Sequence, residues 1–109
     1  MNYQDKSKKM VIDALIKVVN AAPNSQMQAA YYSNYFAQNQ SRPISYQDFI
    51  TWLNYAQSIL DISHNHTGID DILSTRVNIS QISLQNNVPY EQRIERIKYE
   101  LLNLAQRIL

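Results

Sequence analysis

ILSTRVNISQISLQNNV, residues 72–88, decides how the second half of the chain folds. Ile72, Leu73 and Val77 recur at helical spacing, with Ile69 just ahead of them and Thr67 and Asp70 placed to cap a helix start. Asn78-Ile79-Ser80 then reads as a turn, and Ser80 reads as the cap of a short helix to about Asn87. Two short helices joined at a turn are the expectation for this stretch.

Downstream, Pro89 opens the last helix near its first turn, where a missing N–H costs nothing. Tyr90, Ile94, Ile97, Leu101, Leu104 and Ile108 follow at spacings of 4, 3, 4, 3 and 4. That is a heptad seam over nearly three heptads. It has two readings: the core-facing side of one helix, or a homodimer seam from Tyr90 to Ile108.

Upstream, Ser45 begins a well-specified helix. Asp48 sits three residues on, and Ile44 and Phe49 are spaced for a hydrophobic staple. Phe49, Trp52, Leu53, Ala56, Ile59 and Leu60 form its stripe, and SHNHTG (residues 63–68) ends it. Arg42-Pro43 breaks the chain before it, because proline disfavours helix at the preceding residue. Another helix is expected from Asn24 or Ser25 to about Gln40. The first helix carries Val11, Ile12, Leu15, Val18 and Val19, is capped by Asp5 or Ser7, and stops before Pro23. The fold class is therefore all-α: a single compact domain, residues 1–109, of about five or six helices, with the short pair leading into a long C-terminal helix.

Composition narrows the function. A 45% hydrophobic, 17% charged chain of 109 residues is globular and supports one core. It has no cysteine, so neither disulfides nor thiol chemistry arise, which fits a reducing, cytoplasmic setting. Asp13 and Lys17 interrupt the apolar run from Val11 to Val19, so no signal peptide or membrane span is expected. The sequons at Asn65 and Asn78 accordingly carry no weight. One glycine, Gly68, argues against tight hairpins and phosphate-cradling loops. No nucleophile elbow or Ser-His-Asp pattern stands out, so an enzyme is not expected, nor any cofactor. His64 and His66 with nearby aspartates sketch a metal site, but a third ligand must be assumed, and a solvated loop is the plainer reading.

Charge is uneven. Residues 1–42 hold Lys6, Lys8, Lys9, Lys17 and Arg42 against Asp5 and Asp13, a net +3. Residues 43–75 hold only Asp48, Asp61, Asp70 and Asp71, a net −4. Residues 76–109 return to +2. Two basic ends thus flank an acidic middle, although the total of +1 does not demand a nucleic-acid partner.

Within residues 70–87, Ser74 is small where two crossing helices would approach. Leu73, Val77 and Ile79 flank the turn, Leu84 supplies an apolar anchor, and Asn78 tolerates left-handed backbone. On these residues the stretch resembles the helix-turn-helix superfamily. The resemblance implies that Ser80, Gln81, Ile82, Gln85 and Asn86 face outward on the second helix. Glutamine and asparagine would then pair with adenine, and an apolar side chain would meet a thymine methyl. Arg42, Arg76 and Arg93 would take phosphates. Apart from this stretch, the Lys6-Ser7-Lys8-Lys9 cluster reads as a solvated helix start, or as a contact for phosphates or an acidic partner. In overall character the chain is similar to small proteins carried by phages and mobile elements of low-GC Gram-positive bacteria. Those include DNA-binding regulators and small subunits of replication enzymes.

AAYYSNYFAQNQSRPISYQDFITWLNYA, residues 29–56, is the other informative stretch. Tyr31, Tyr32, Tyr35 and Phe36 spread around a helix axis, so one face cannot bury them all. Together with Tyr55 they suit a protein interface. A tyrosine-rich core and a platform for single-stranded bases are the other readings. The expected function is thus a non-enzymatic accessory protein that binds DNA beside a larger protein partner. The alternative is a pure protein-interaction module without nucleic acid.

Overall fold

The computed structural model describes residues 3–24 and 43–109. Four helices occupy them: α1 (Tyr3–Asn20), α2 (Tyr46–Thr67), α3 (Asp70–Ser83) and α4 (Tyr90–Ile108). The helix expected between Asn24 and Gln40 lies outside the described residues.

Local chemistry sets the helix ends. Ser45 has extended backbone and its hydroxyl accepts the Asp48 N–H at 3.1 Å, so the expected cap of α2 is formed. At the other end Gly68 adopts φ +66°, and its N–H donates to the His64 carbonyl at 2.7 Å. His64, Asn65 and His66 therefore stand on the last turn of α2, not in a loop. Thr67 turns its hydroxyl back to the Ser63 carbonyl and leaves Ile69 as the residue before α3.

The expected turn at Asn78-Ile79-Ser80 lies inside α3, and one helix of 14 residues replaces the first helix, the turn and the start of the second. Burial explains the outcome. Ile72, Thr75 and Ile79 are fully buried at spacings of three and four, and Ile82 packs on the same core. A break at Asn78 would turn Ile79 and Ile82 away from it. Asparagine and serine cost only a few tenths of a kcal/mol each relative to alanine inside a helix, against about 2 kcal/mol for each buried isoleucine. The chain turns instead at residues 84–89, where Leu84 and Gln85 close onto Gln81 and Ile82 carbonyls and Pro89 forbids continuation.

Successive helices run antiparallel. Gln57 Nε2 donates to Ser80 Oγ at 3.0 Å and Arg76 pairs with Asp61, which fixes α3 against α2. Arg107 Nη2 donates to Thr75 Oγ1 at 3.1 Å near one end of the α3–α4 seam, and Arg93 reaches the Ser83 carbonyl near the other. Trp52 Nε1 donates to the Val18 carbonyl at 2.8 Å, in the last turn of α1, where the same carbonyl also accepts the Ala21 N–H at 3.1 Å. α1 also packs along α4, which closes the four helices into a ring.

The core at the centre is apolar. α1 contributes Val11, Leu15 and Val18; α2 contributes Phe49, Trp52, Leu53, Ala56 and Leu60. From α4, Ile94, Ile97, Leu101, Leu104 and Ile108 are all buried. This corrects the homodimer reading of the Tyr90–Ile108 seam: α1 and α3 already cover it, so it is not available to a second copy. No helix of the described residues is long and apolar enough to cross a membrane.

A Cβ built at Gly68 meets nothing within 4 Å, so any penalty for a side chain there is conformational. Gly68→Ala is expected to lower stability by about 1 kcal/mol through its left-handed backbone. In thermal unfolding that should appear as a fall in Tm of about 4–8 °C.

Candidate functional site

The residues singled out for nucleic acid are mostly engaged inside the fold. Arg93 is 8% exposed. Its Nε donates to the Val88 carbonyl at 2.7 Å and its Nη1 to the Ser83 carbonyl at 2.9 Å. The guanidinium lies 4.6 Å from the Tyr90 ring centroid and 5.3 Å from that of Phe49. Those two rings stack at 5.0 Å. Arg93 is therefore a clamp on the α3–α4 connection, and the phosphate role assigned to it is corrected. Arg76 forms a two-pronged pair with Asp61 across the α2–α3 seam. Gln85 stands after α3, in the connection, and its Oε1 accepts Arg96 Nη1 at 2.8 Å. Asn86 is exposed in the same connection, and Gln81 is exposed on α3. Ser80 and Ile82 do not face outward as expected: Ser80 is held by Gln57, and Ile82 packs on the core. On α1, Lys9 is exposed and Lys8 half-buried.

Arg42, Tyr31, Tyr32, Tyr35 and Phe36 lie outside the described residues. Tyr55 is described. It is 39% exposed and borders a shallow hollow of about 390 Å³ with Trp52, Thr51, Ala21 and Pro23, on the side of α2 that meets α1.

That same side carries a feature the sequence reading missed. Between α1 and α2 runs an apolar groove with a volume of about 180 Å³. Val11, Ala14 and Ile59 line its floor. Met10 and Ile62 form its walls and are 64% and 54% exposed. Ser7, Ser63 and His66 close one end. Small residues make the opening, because Ser7, Ala14 and Ser63 occupy positions where larger side chains would fill the seam. Along α2, Tyr55, Ile59, Ile62 and His66 fall at spacings of four, three and four, so the groove and the Tyr55 hollow share one line. The usable signal was negative: Met10 and Ile62 are apolar residues left over once the core stripe of each helix is assigned.

The rims differ in charge. Lys6, Met10, Asp13 and Lys17 share one exposed line of α1, with Lys9 one turn from Asp13. Among the described residues none of these lysines has an ion pair. The facing rim of α2, through Ser58, Ile62 and Asn65, carries no charge. Asp61 is turned away to Arg76. Among the described residues no cluster of three or more metal-ligating side chains is present.

A second exposed apolar line runs along α3 and ends just past it. Leu73, Val77 and Leu84 are 44%, 55% and 75% exposed, with Ser74, Asn78 and Gln81 beside them. No family model, curated protein or solved structure matches this chain.

The two arginines separate by chemistry. Arg93→Ala is expected to cost roughly 2–4 kcal/mol, since it strands the Val88 and Ser83 carbonyls and removes the cation from two rings. Arg76→Ala breaks a pair whose side chains are 37% and 50% exposed and should cost no more than about 1 kcal/mol. Urea unfolding of the two variants measures both.

Proposed function

We propose that this chain is a non-enzymatic interaction module that binds a protein partner through the groove between α1 and α2. The observation that carries the reading is the exposure of Met10 and Ile62 over an open apolar floor. Burying such walls against a partner is favourable at about 25 cal/mol per Å² of apolar area, and a small protein seldom leaves them together without a use. Two helices that line a groove at three- and four-residue spacing present the shape that a third amphipathic helix fills. Tyr55, with one apolar face and a hydroxyl, extends the surface toward the α1 C-terminus.

The nucleic-acid reading has less behind it. Duplex binding draws most of its affinity from free cations on phosphates. Arg93 and Arg76 are committed to carbonyls and to Asp61, and Gln85 to Arg96. The accessory role beside a larger protein partner belongs equally to the groove reading.

Two measurements test the proposal together. Labelled single-stranded and duplex oligonucleotides should give no anisotropy change at about 50 mM salt, a condition at which phosphate binders associate strongly. A displayed library of helical peptides, selected on the wild-type protein, should yield binders that are lost on Ile62→Asp and Met10→Asp. Both substitutions are on exposed side chains and leave the helical circular dichroism unchanged. Salt-sensitive oligonucleotide binding, with no Ile62-dependent peptide, would overturn the reading.

A further inference from the structure

We infer that a second copy of this chain can occupy the groove, presenting the outer face of its α3, so that the protein associates head to tail. The inference rests on the groove reading above and adds an occupant found on the chain itself.

Three observations carry it. First, the α3 face has the chemistry the groove lacks. Leu73 and Val77 stand one turn apart, exposed, with Leu84 further along. Their neighbours Ser74, Asn78 and Gln81 are small or neutral, so bringing this face against another helix buries no charge. The cations nearby are engaged within the fold, Arg76 by Asp61 and Arg107 by Thr75 and Asp71.

Second, the charges are complementary. Asp70 and Asp71 are exposed in the first turn of α3 at the head of that stripe. The α1 rim of the groove carries Lys6, Lys9 and Lys17 around a single Asp13, and the α2 rim is neutral. An acidic, apolar helix therefore fits a basic, apolar groove, and copies of the groove do not fit each other. Asp71 also lies 4.0 Å from Arg107, so Asp70 is the carboxylate with more freedom to meet a lysine.

Third, the lengths agree. From Ser7 to Ala14 the α1 lining of the groove spans about 10 Å, and from Asp70 to Val77 the first part of the stripe spans the same distance at about 1.5 Å per residue. Leu73 and Val77 have the one-turn spacing of Met10 and Ala14.

Groove and stripe are different surfaces on one chain, so the contact is heterologous. It need not stop at two copies, unlike an isologous dimer. A single helix in a groove is a small interface, so the association is weak and grows with concentration.

The test uses the whole chain. Sedimentation equilibrium of the wild type, up to about 1 mM, should show average mass rising past that of a dimer. Ile62→Asp spoils the groove alone, and Val77→Asp spoils the stripe alone. Each variant by itself should stay monomeric. Their equimolar mixture should form a dimer and stop there, because one variant retains a working stripe and the other a working groove. Both positions are more than half exposed, and circular dichroism checks that the helices persist. A wild type that is monomeric throughout would overturn the inference, as would a mixture that fails to complement. Mass stopping at a dimer, unaffected by either variant, would also overturn it. None of these results touches the groove's selection of Ile62-dependent peptides, so failure here is distinct from failure of the proposed function.

Discussion

The second half of the structure depends on how a buried guanidinium is satisfied. Arg93 projects from α4 into a site where it is buried and where, among the described residues, no carboxylate pairs with it. Two backbone carbonyls, of Ser83 and Val88, take its N–H groups, and the rings of Phe49 and Tyr90 lie beside its plane. Arginine suits this position because its planar donors reach two acceptors at once while its face meets an aromatic ring. Those carbonyls belong to the end of α3 and the connection after it, which otherwise have few partners. One side chain therefore ties α2, α3, the connection and α4 together. The charge stays buried because every alternative leaves carbonyls or a cation without partners.

Much of the architecture was legible in the chain. The all-α class, the Ser45 cap, the core stripe of α2 and the heptad spacing of α4 all followed from periodicity and capping chemistry, which act over a few residues. The failures have one cause. Residues 78–80 carry local turn chemistry, but Ile79 and Ile82 gain more by remaining on a buried face, and burial is a tertiary quantity. Likewise Arg93 looks like any surface cation until Phe49, more than forty positions earlier, is known to lie beneath it. Local signals were read correctly as preferences, and the core then outweighed them.

The site was less legible still, because an open groove is a property of two helices and of neither alone. Met10 and Ile62 are unremarkable on their own helices. They become walls only when α1 and α2 meet in antiparallel register, with Ser7, Ala14 and Ser63 between them. The charge segmentation, basic at the ends and acidic in the middle, was visible from the start. Folding gave it direction by placing Lys6 and Lys17 on one rim and Asp70 at the head of a separate stripe.

The contrast between helix seams explains why the groove lies where it does. The α2–α3 seam is cross-linked by Gln57 to Ser80 and by Arg76 to Asp61. The α3–α4 seam is cross-linked by Arg107 to Thr75 and by the Arg93 clamp. Between α1 and α2 the Trp52 indole on the Val18 carbonyl pins one end. Farther along, toward Ser7 and His66, small side chains leave space that the chain's own packing does not take up. A fold under pressure only for stability gains from a larger residue at Ala14 or Ser63, since filling a void recovers dispersion and burial. Keeping the seam open while exposing two large apolar walls above it forgoes that gain. The position is coherent if another helix supplies the missing contacts, and the rest of the fold, closed on its other cross-linked seams, holds the two walls apart to receive it.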